Sequence, residues 1–214
     1  MKSALLVWGG SDGYEPKESV EQFIPFLRQQ GFDVEMSNTL EVFLDEPKMQ
    51  SLSLMVPCWT MGTIAWEQEK GLLAAVRNGA GIAGWHGGMG DAFRKNTEYQ
   101  FMVGGQWVAH PDGIVEYIVN IVDRADLVTW GLNDFKMKSE QYYMHVDPSN
   151  RVLATTTFSP KSAPWTDGCV MPVVWKRHYG LGRVFYSSLG HLARDFDVPE
   201  AKEIMKRGLL WASK

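Results

Sequence analysis

The chain has 214 residues, with 21 Lys+Arg against 25 Asp+Glu and a formal net charge of −4. A length under about 250 residues suits one α/β core, and the mildly acidic balance removes the long-range pull on phosphate backbones that a nucleic-acid partner needs. Two cysteines, Cys58 and Cys169, are too few for a disulfide framework or a four-thiolate zinc site, which favours a reduced, cytoplasmic setting.

The start reaches Gly9-Gly10 too soon for a signal peptide, and no run of about 18 apolar residues marks a membrane span. Ser3 to Trp8 has the pattern of a buried parallel strand. Val20, Phe23, Ile24 and Leu27 recur at helical spacing, so Ser19 to Gln30 is expected to be a helix stopped by Gly31. Phe32 to Met36 alternates as a second strand. Leu52 to Val56 is a third, closed by Pro57. Trp66 to Arg77 follows as a helix. Gly81 to Trp85 is a fourth strand, ending in His86-Gly87-Gly88. This alternation predicts a sheet covered by helices. Asp123 to Glu140 is the least patterned segment and is expected to leave the core. The second half is otherwise β-rich: Ile114 to Val122, Val152 to Phe158, and a hairpin of Val173 to Tyr179 with Arg183 to Ser188. Pro199 to Trp211 is a closing helix. With no linker or repeat, one domain over 1–214 is expected.

Three features carry possible chemistry. Ligands of open α/β sheets bind beyond the carboxyl ends of the strands, where Trp8, Trp59 and Trp85 fall. Nine tryptophans are present, and these three are expected either to wall a pocket that stacks on a sugar face or to plug the core. Trp107, close to His110, joins the pocket set. Trp66, Trp175 and Trp211 are expected in the core. Gly84-Trp85-His86-Gly87-Gly88 has the small-x-nucleophile-x-small spacing of a nucleophile elbow, with a histidine at its centre. Imidazole suits acid/base work or metal ligation better than covalent attack. His191 follows a late strand, with Asp195 placed to orient it as in a triad.

His110, Glu140 and His145 add to this set. His86, Glu140, His145 and His191 are the acid/base candidates. His86, His110 and His145 are the candidates for holding a divalent metal such as zinc or manganese, although no HExxH or CxxC spacing supports one. His178, inside the hairpin, is expected to be structural. Asp12, Tyr14 and Tyr143 can offer polar groups to a ligand. Neither a GxGxxG nor a GxxxxGK[ST] motif occurs, so no nucleotide is expected.

The segments Gly9-Gly10-Ser11-Asp12-Gly13-Tyr14-Glu15-Pro16, Gly84-Trp85-His86-Gly87, Gly104 to Pro111, Glu140-Gln141-Tyr142-Tyr143 and Ser188-Leu189-Gly190-His191 occur in order along nearly the whole chain. Together they resemble the ThuA-like (trehalose utilisation) family, related to class I glutamine amidotransferases. The resemblance implies a flavodoxin-like, amidotransferase-type α/β fold with a mostly parallel sheet. It also exposes departures. His86 stands where an amidotransferase has its cysteine, the carboxylate after the late histidine is displaced to Asp195, and Tyr14 stands where many ThuA-like sequences have histidine. Glutamine hydrolysis through a thioester is therefore not expected.

What the resemblance implies instead is sugar catabolism, with a small-molecule sugar or glycoside as partner. The expected substrate is an oxidised, 3-keto sugar, isomerised or cleaved by elimination through acid/base proton transfer, with or without a metal. A sugar-binding or regulatory module without turnover is the alternative, and a metal-dependent hydrolase of another class is a third. The oligomeric state is left open: apolar side chains near the Asp123 to Glu140 segment suit a second copy in a homo-oligomer.

Overall fold

The computed structural model describes residues 2–214; the side chain of Asp12, one of the predicted ligand contacts, lies outside what is described. Among the described residues eleven strands form: β1 (Lys2–Gly10), β2 (Phe32–Ser37), β3 (Leu54–Thr60), β4 (Gly81–Trp85), β5 (Gly105–Ala109), β6 (Ile114–Ile121), β7 (Phe135–Glu140), β8 (Tyr143–Val146), β9 (Arg151–Thr157), β10 (Val170–Tyr179) and β11 (Gly182–Ser187). Seven α-helices accompany them: α1 (Pro16–Glu21), α2 (Ile24–Gln29), α3 (Glu46–Ser51), α4 (Trp66–Arg77), α5 (His86–Gly90), α6 (Thr97–Val103) and α7 (Pro199–Ala212).

Nine strands build one sheet in the order β2-β1-β3-β4-β11-β10-β9-β6-β7, while β5 and β8 form a separate two-stranded ribbon. From β2 to β11 every ladder is parallel, and from β11 outward every ladder is antiparallel. The amidotransferase-like α/β architecture is therefore present, with a sheet more mixed than a mostly parallel one. Two apolar layers cover it. One holds Leu6, Val56, Phe185 and Leu209; the other holds Leu5, Met55, Ile82 and Tyr186. Successive residues of β1, Leu5 and Leu6, enter opposite layers because strand side chains alternate.

Several elements differ from the sequence expectation for identifiable reasons. The helix expected over Ser19 to Gln30 is two short helices, and Pro25 sits in the first turn of the second, where its missing N–H is harmless. The third strand runs through Pro57 to Thr60. Its ladder with β4 covers only Leu54 and Met55, so a proline beyond that point removes no donor from it. The segment expected to leave the core contains β7, an edge strand paired with β6 from Ile114↔Glu140 to Val119↔Phe135. Its alternating Phe135, Met137 and Ser139 face inward between exposed Lys136 and Lys138, a period-2 pattern carried by only six residues. The predicted hairpin is present as β10 and β11, and exposed His178 lies on it against Trp211.

Candidate functional site

The elbow forms as its spacing demands. β4 ends at Trp85, and the chain turns directly into α5 with His86 at φ 44, a left-handed conformation unusual for a residue with a Cβ. The helix can lie on the neighbouring strand because Gly88 has no side chain. A Cβ there would sit 2.8 Å from the Cα of Cys58. The Tyr186 hydroxyl donates to the His86 carbonyl at 3.0 Å and pins the turn.

Glu140 is the hub of the site. Its Oε2 lies 3.4 Å from His86 Nε2 and 3.3 Å from His191 Nδ1, and its Oε1 lies 3.7 Å from His110 Nε2. His86 comes from the elbow and His191 from the loop after β11. Glu140 ends β7, and His110 follows β5. Four separate chain segments thus converge. His86 and Glu140 are buried, and His86 Nε2, Glu140 Oε2 and His191 Nδ1 have no hydrogen-bond partner. Those three atoms all lie within 4.8 Å of one another and are the set that could hold a metal ion. Burial, reinforced by the neighbouring His191 and His110, pushes the His86 imidazole well below its ordinary range, so it is neutral at physiological pH.

Aromatic rings line the cluster. Tyr142 lies against His86 with ring centroids 3.8 Å apart, and Tyr14 meets the His191 ring edge-on at 5.3 Å. Trp107 lies 5.7 Å from the His110 ring and carries the Arg94 guanidinium on its face at 4.5 Å. Arg94 is fixed by a two-pronged pair with buried Asp91. Burial raises the phenols of Tyr14 and Tyr142, with Glu140 adding to both shifts, so both hydroxyls stay protonated and can donate.

The structure brings together His86, His110, Glu140, His191, Tyr14 and Trp107 from the sequence-predicted set. Others stand apart. His145 is exposed on β8 and pairs in register with Gln106, so it belongs neither with the acid/base group nor with a His86, His110, His145 metal trio. Trp85 is core, packed between Phe23 and Phe196. Trp8 packs against one apolar layer and Trp59 against the other, so they flank the sheet and do not share a pocket wall. Trp66, expected in the core, is 66% exposed on α4, whereas Trp175 is fully buried. Tyr143 packs edge-on against Phe158, and its neighbour Tyr142 takes the place at the histidines.

Asp195 does not orient the His191 ring. It accepts the His191 backbone N–H at 2.9 Å and the Ser139 hydroxyl, which ties the loop to β7 and leaves the imidazole to Glu140. Tyr142, Asp91 and Arg94 were missed. The signal for the last two was available: an acidic and a basic residue three apart, directly after the elbow.

The elbow residue is a histidine and not a cysteine. Cys58 is buried beneath the elbow with its pKa raised to about 12, so no thiolate is available there. The fold is amidotransferase-like, with a histidine at the elbow beside a buried carboxylate.

The family model for ThuA, trehalose utilisation, matches residues 4–212, and the chain belongs to that family. Among solved structures it is similar to a protein described as ThuA-like from Parabacteroides merdae, with 20% identity, a TM-score of 0.77, and coverage of 99% of this chain and 89% of that one. A second protein so described, from Bacteroides uniformis, gives 16% identity, a TM-score of 0.80, and coverage of 99% and 91%. A cytoplasmic protein from Salmonella typhimurium LT2 gives 13% identity, a TM-score of 0.68, and full coverage (100%) of both chains. At these identities the likeness is one of fold. The comparison with curated proteins returns no match. No helix among the described residues is long and apolar enough to cross a membrane.

Proposed function

We propose that this protein is a sugar-processing enzyme that moves a proton beside the carbonyl of an oxidised, keto sugar or glycoside. The observation that carries the reading is Glu140, a buried carboxylate facing three imidazoles within 3.7 Å. The family's tie to trehalose utilisation supports a sugar as substrate.

A carbonyl acidifies the C–H bond next to it. His110, the most exposed imidazole of the cluster, backed by Glu140, is the base that takes this proton, and the C–H electron pair moves into an enolate. The protonated hydroxyl of Tyr14 is suited to donate to the enolate oxygen. Passage of the adjacent hydroxyl's proton to the enolate oxygen, with return of the first proton to the former carbonyl carbon, isomerises the sugar. If a glycosidic oxygen sits on the carbon beyond, the enolate expels it instead, and the departing oxygen takes the proton from the same base. Trp107 offers an aromatic face for the sugar ring, and Arg94 beside it offers hydrogen-bond donors.

The test is solvent-deuterium exchange into a 3-keto glucoside, followed by proton NMR. The expected result is loss of the signal beside the carbonyl, abolished by Glu140→Gln. Failure to exchange with any of several keto sugars overturns the reading. The loss of the elbow cysteine also suits a sugar-binding module, and that reading predicts ligand-induced thermal stabilisation without exchange or turnover.

A further inference from the structure

The proton-transfer reading leaves one feature unexplained. Two imidazole nitrogens, His86 Nε2 and His191 Nδ1, aim at a single carboxylate oxygen, Glu140 Oε2, yet none of the three atoms has a hydrogen-bond partner. A buried carboxylate oxygen left without a hydrogen-bond donor is costly, and a cation placed between it and the two imidazole nitrogens would satisfy all three atoms. His86 is 1% exposed and Glu140 8% exposed, so water cannot screen them freely.

The spacing says what fits. Two ligands about 2.1 Å from a tetrahedral zinc ion lie roughly 3.4 Å apart. The observed His86–Glu140 and His191–Glu140 separations are 3.4 and 3.3 Å. The third separation, between the two imidazoles, is held within 4.8 Å, so a modest inward turn of either ring closes the triangle. Two imidazoles and one carboxylate are the His₂Glu set of a catalytic zinc site with an open position. His110 is not part of the triangle: it faces the other carboxylate oxygen, Oε1, where it can steady the carboxylate as an outer partner or hand on a proton.

We infer that His86 Nε2, Glu140 Oε2 and His191 Nδ1 form a divalent transition-metal site, with zinc the best match and an open position toward the substrate. The inference deepens the proton-transfer reading and rests on the same residues. A bound cation would polarise the sugar carbonyl, and the base role would stay with His110.

The test uses tag-free protein stripped with chelator, titrated calorimetrically with zinc chloride or manganese chloride alone and checked by elemental analysis after gel filtration. The expected result is about one equivalent of metal per chain. Glu140→Gln and His191→Ala should each weaken binding by about 100-fold or more, and His145→Ala, on the exposed strand, should leave it unchanged. Where a variant fails to fold, cobalt loading of the wild type serves instead, with a tetrahedral-type visible spectrum expected. Folded wild-type protein that takes up neither metal, or binding that survives both Glu140→Gln and His191→Ala, overturns the site. Deuterium exchange run in parallel separates the two ideas. Exchange by protein that binds no metal sinks the cation and spares the proton transfer; metal uptake without exchange on any keto sugar does the reverse.

Discussion

The two halves of the large sheet do different work at one site. The parallel half, β2 to β11, delivers His86 and His191 at strand ends, where an open α/β sheet presents its functional groups. The antiparallel half and its ribbon deliver Glu140, Tyr142 and His110 from the side. The loop after β11 carries a carboxylate of its own, Asp195, and uses it for loop anchoring. The chemistry therefore depends on docking one half against the other, and a residue's nearness in sequence to His191 says little about its partnership with it.

Substitutions can separate the halves. The largest activity effect is expected from Glu140→Gln, about 10²–10⁴-fold in exchange rate with little change in melting temperature, because the amide keeps the shape and loses the negative charge that backs His110 as the base. Asp195→Asn should show the opposite balance, roughly 1–3 kcal/mol of stability in urea titrations with a smaller activity loss; equal activity losses for the two would erase the distinction drawn here. In the parallel half, Gly88→Ala forces a Cβ to within 2.8 Å of the Cys58 backbone and should cost about 1–3 kcal/mol by denaturant melting. Gly131→Ala, in open space at φ 76 on the antiparallel side, should cost only about 1 kcal/mol.

Smaller still is Asp147→Asn. Bonds from Ser149 and the Arg177 guanidinium depress the Asp147 pKa to about 2. A depressed carboxylate stabilises the fold above its unfolded pKa and loses that contribution as pH falls toward 2. The variant should therefore be less stable at pH 7 by roughly 1 kcal/mol after allowance for solvent, and should match the parent near pH 2. Thiol labelling at pH 8 should modify Cys169 and spare Cys58 while the protein stays folded, as the raised Cys58 pKa requires.

Much of the parallel half was legible in the residues. Gly81 to Trp85 and Trp66 to Arg77 were placed to the residue, because apolar runs and helical spacing are local signals. The elbow was legible for the same reason, since close approach demands glycine at fixed offsets. The carboxylate's partners were not. Glu140 meets His191 through β7, a short edge strand, and no local pattern encodes that meeting. The Tyr142–Tyr143 pair shows the limit most sharply. Adjacent residues point to opposite sides, and only the register of the chain leaving β7 decides which ring reaches the histidines.

Pro57 has a consequence for how the site is defended. Strands in the middle of a sheet normally shed few amides to exchange, and a proline there would invite local opening. Here β3 has already parted from β4 when the proline arrives, and the glycine-rich elbow packs into the gap, with Gly88 against Cys58. The seam between the two strands is thus a fitted notch, closed by the Gly88 backbone against Cys58 and by the Met89 side chain beside Gly84. Amide exchange along β3 should slow or quicken with the integrity of the elbow, which makes the strand a reporter for the seating of His86.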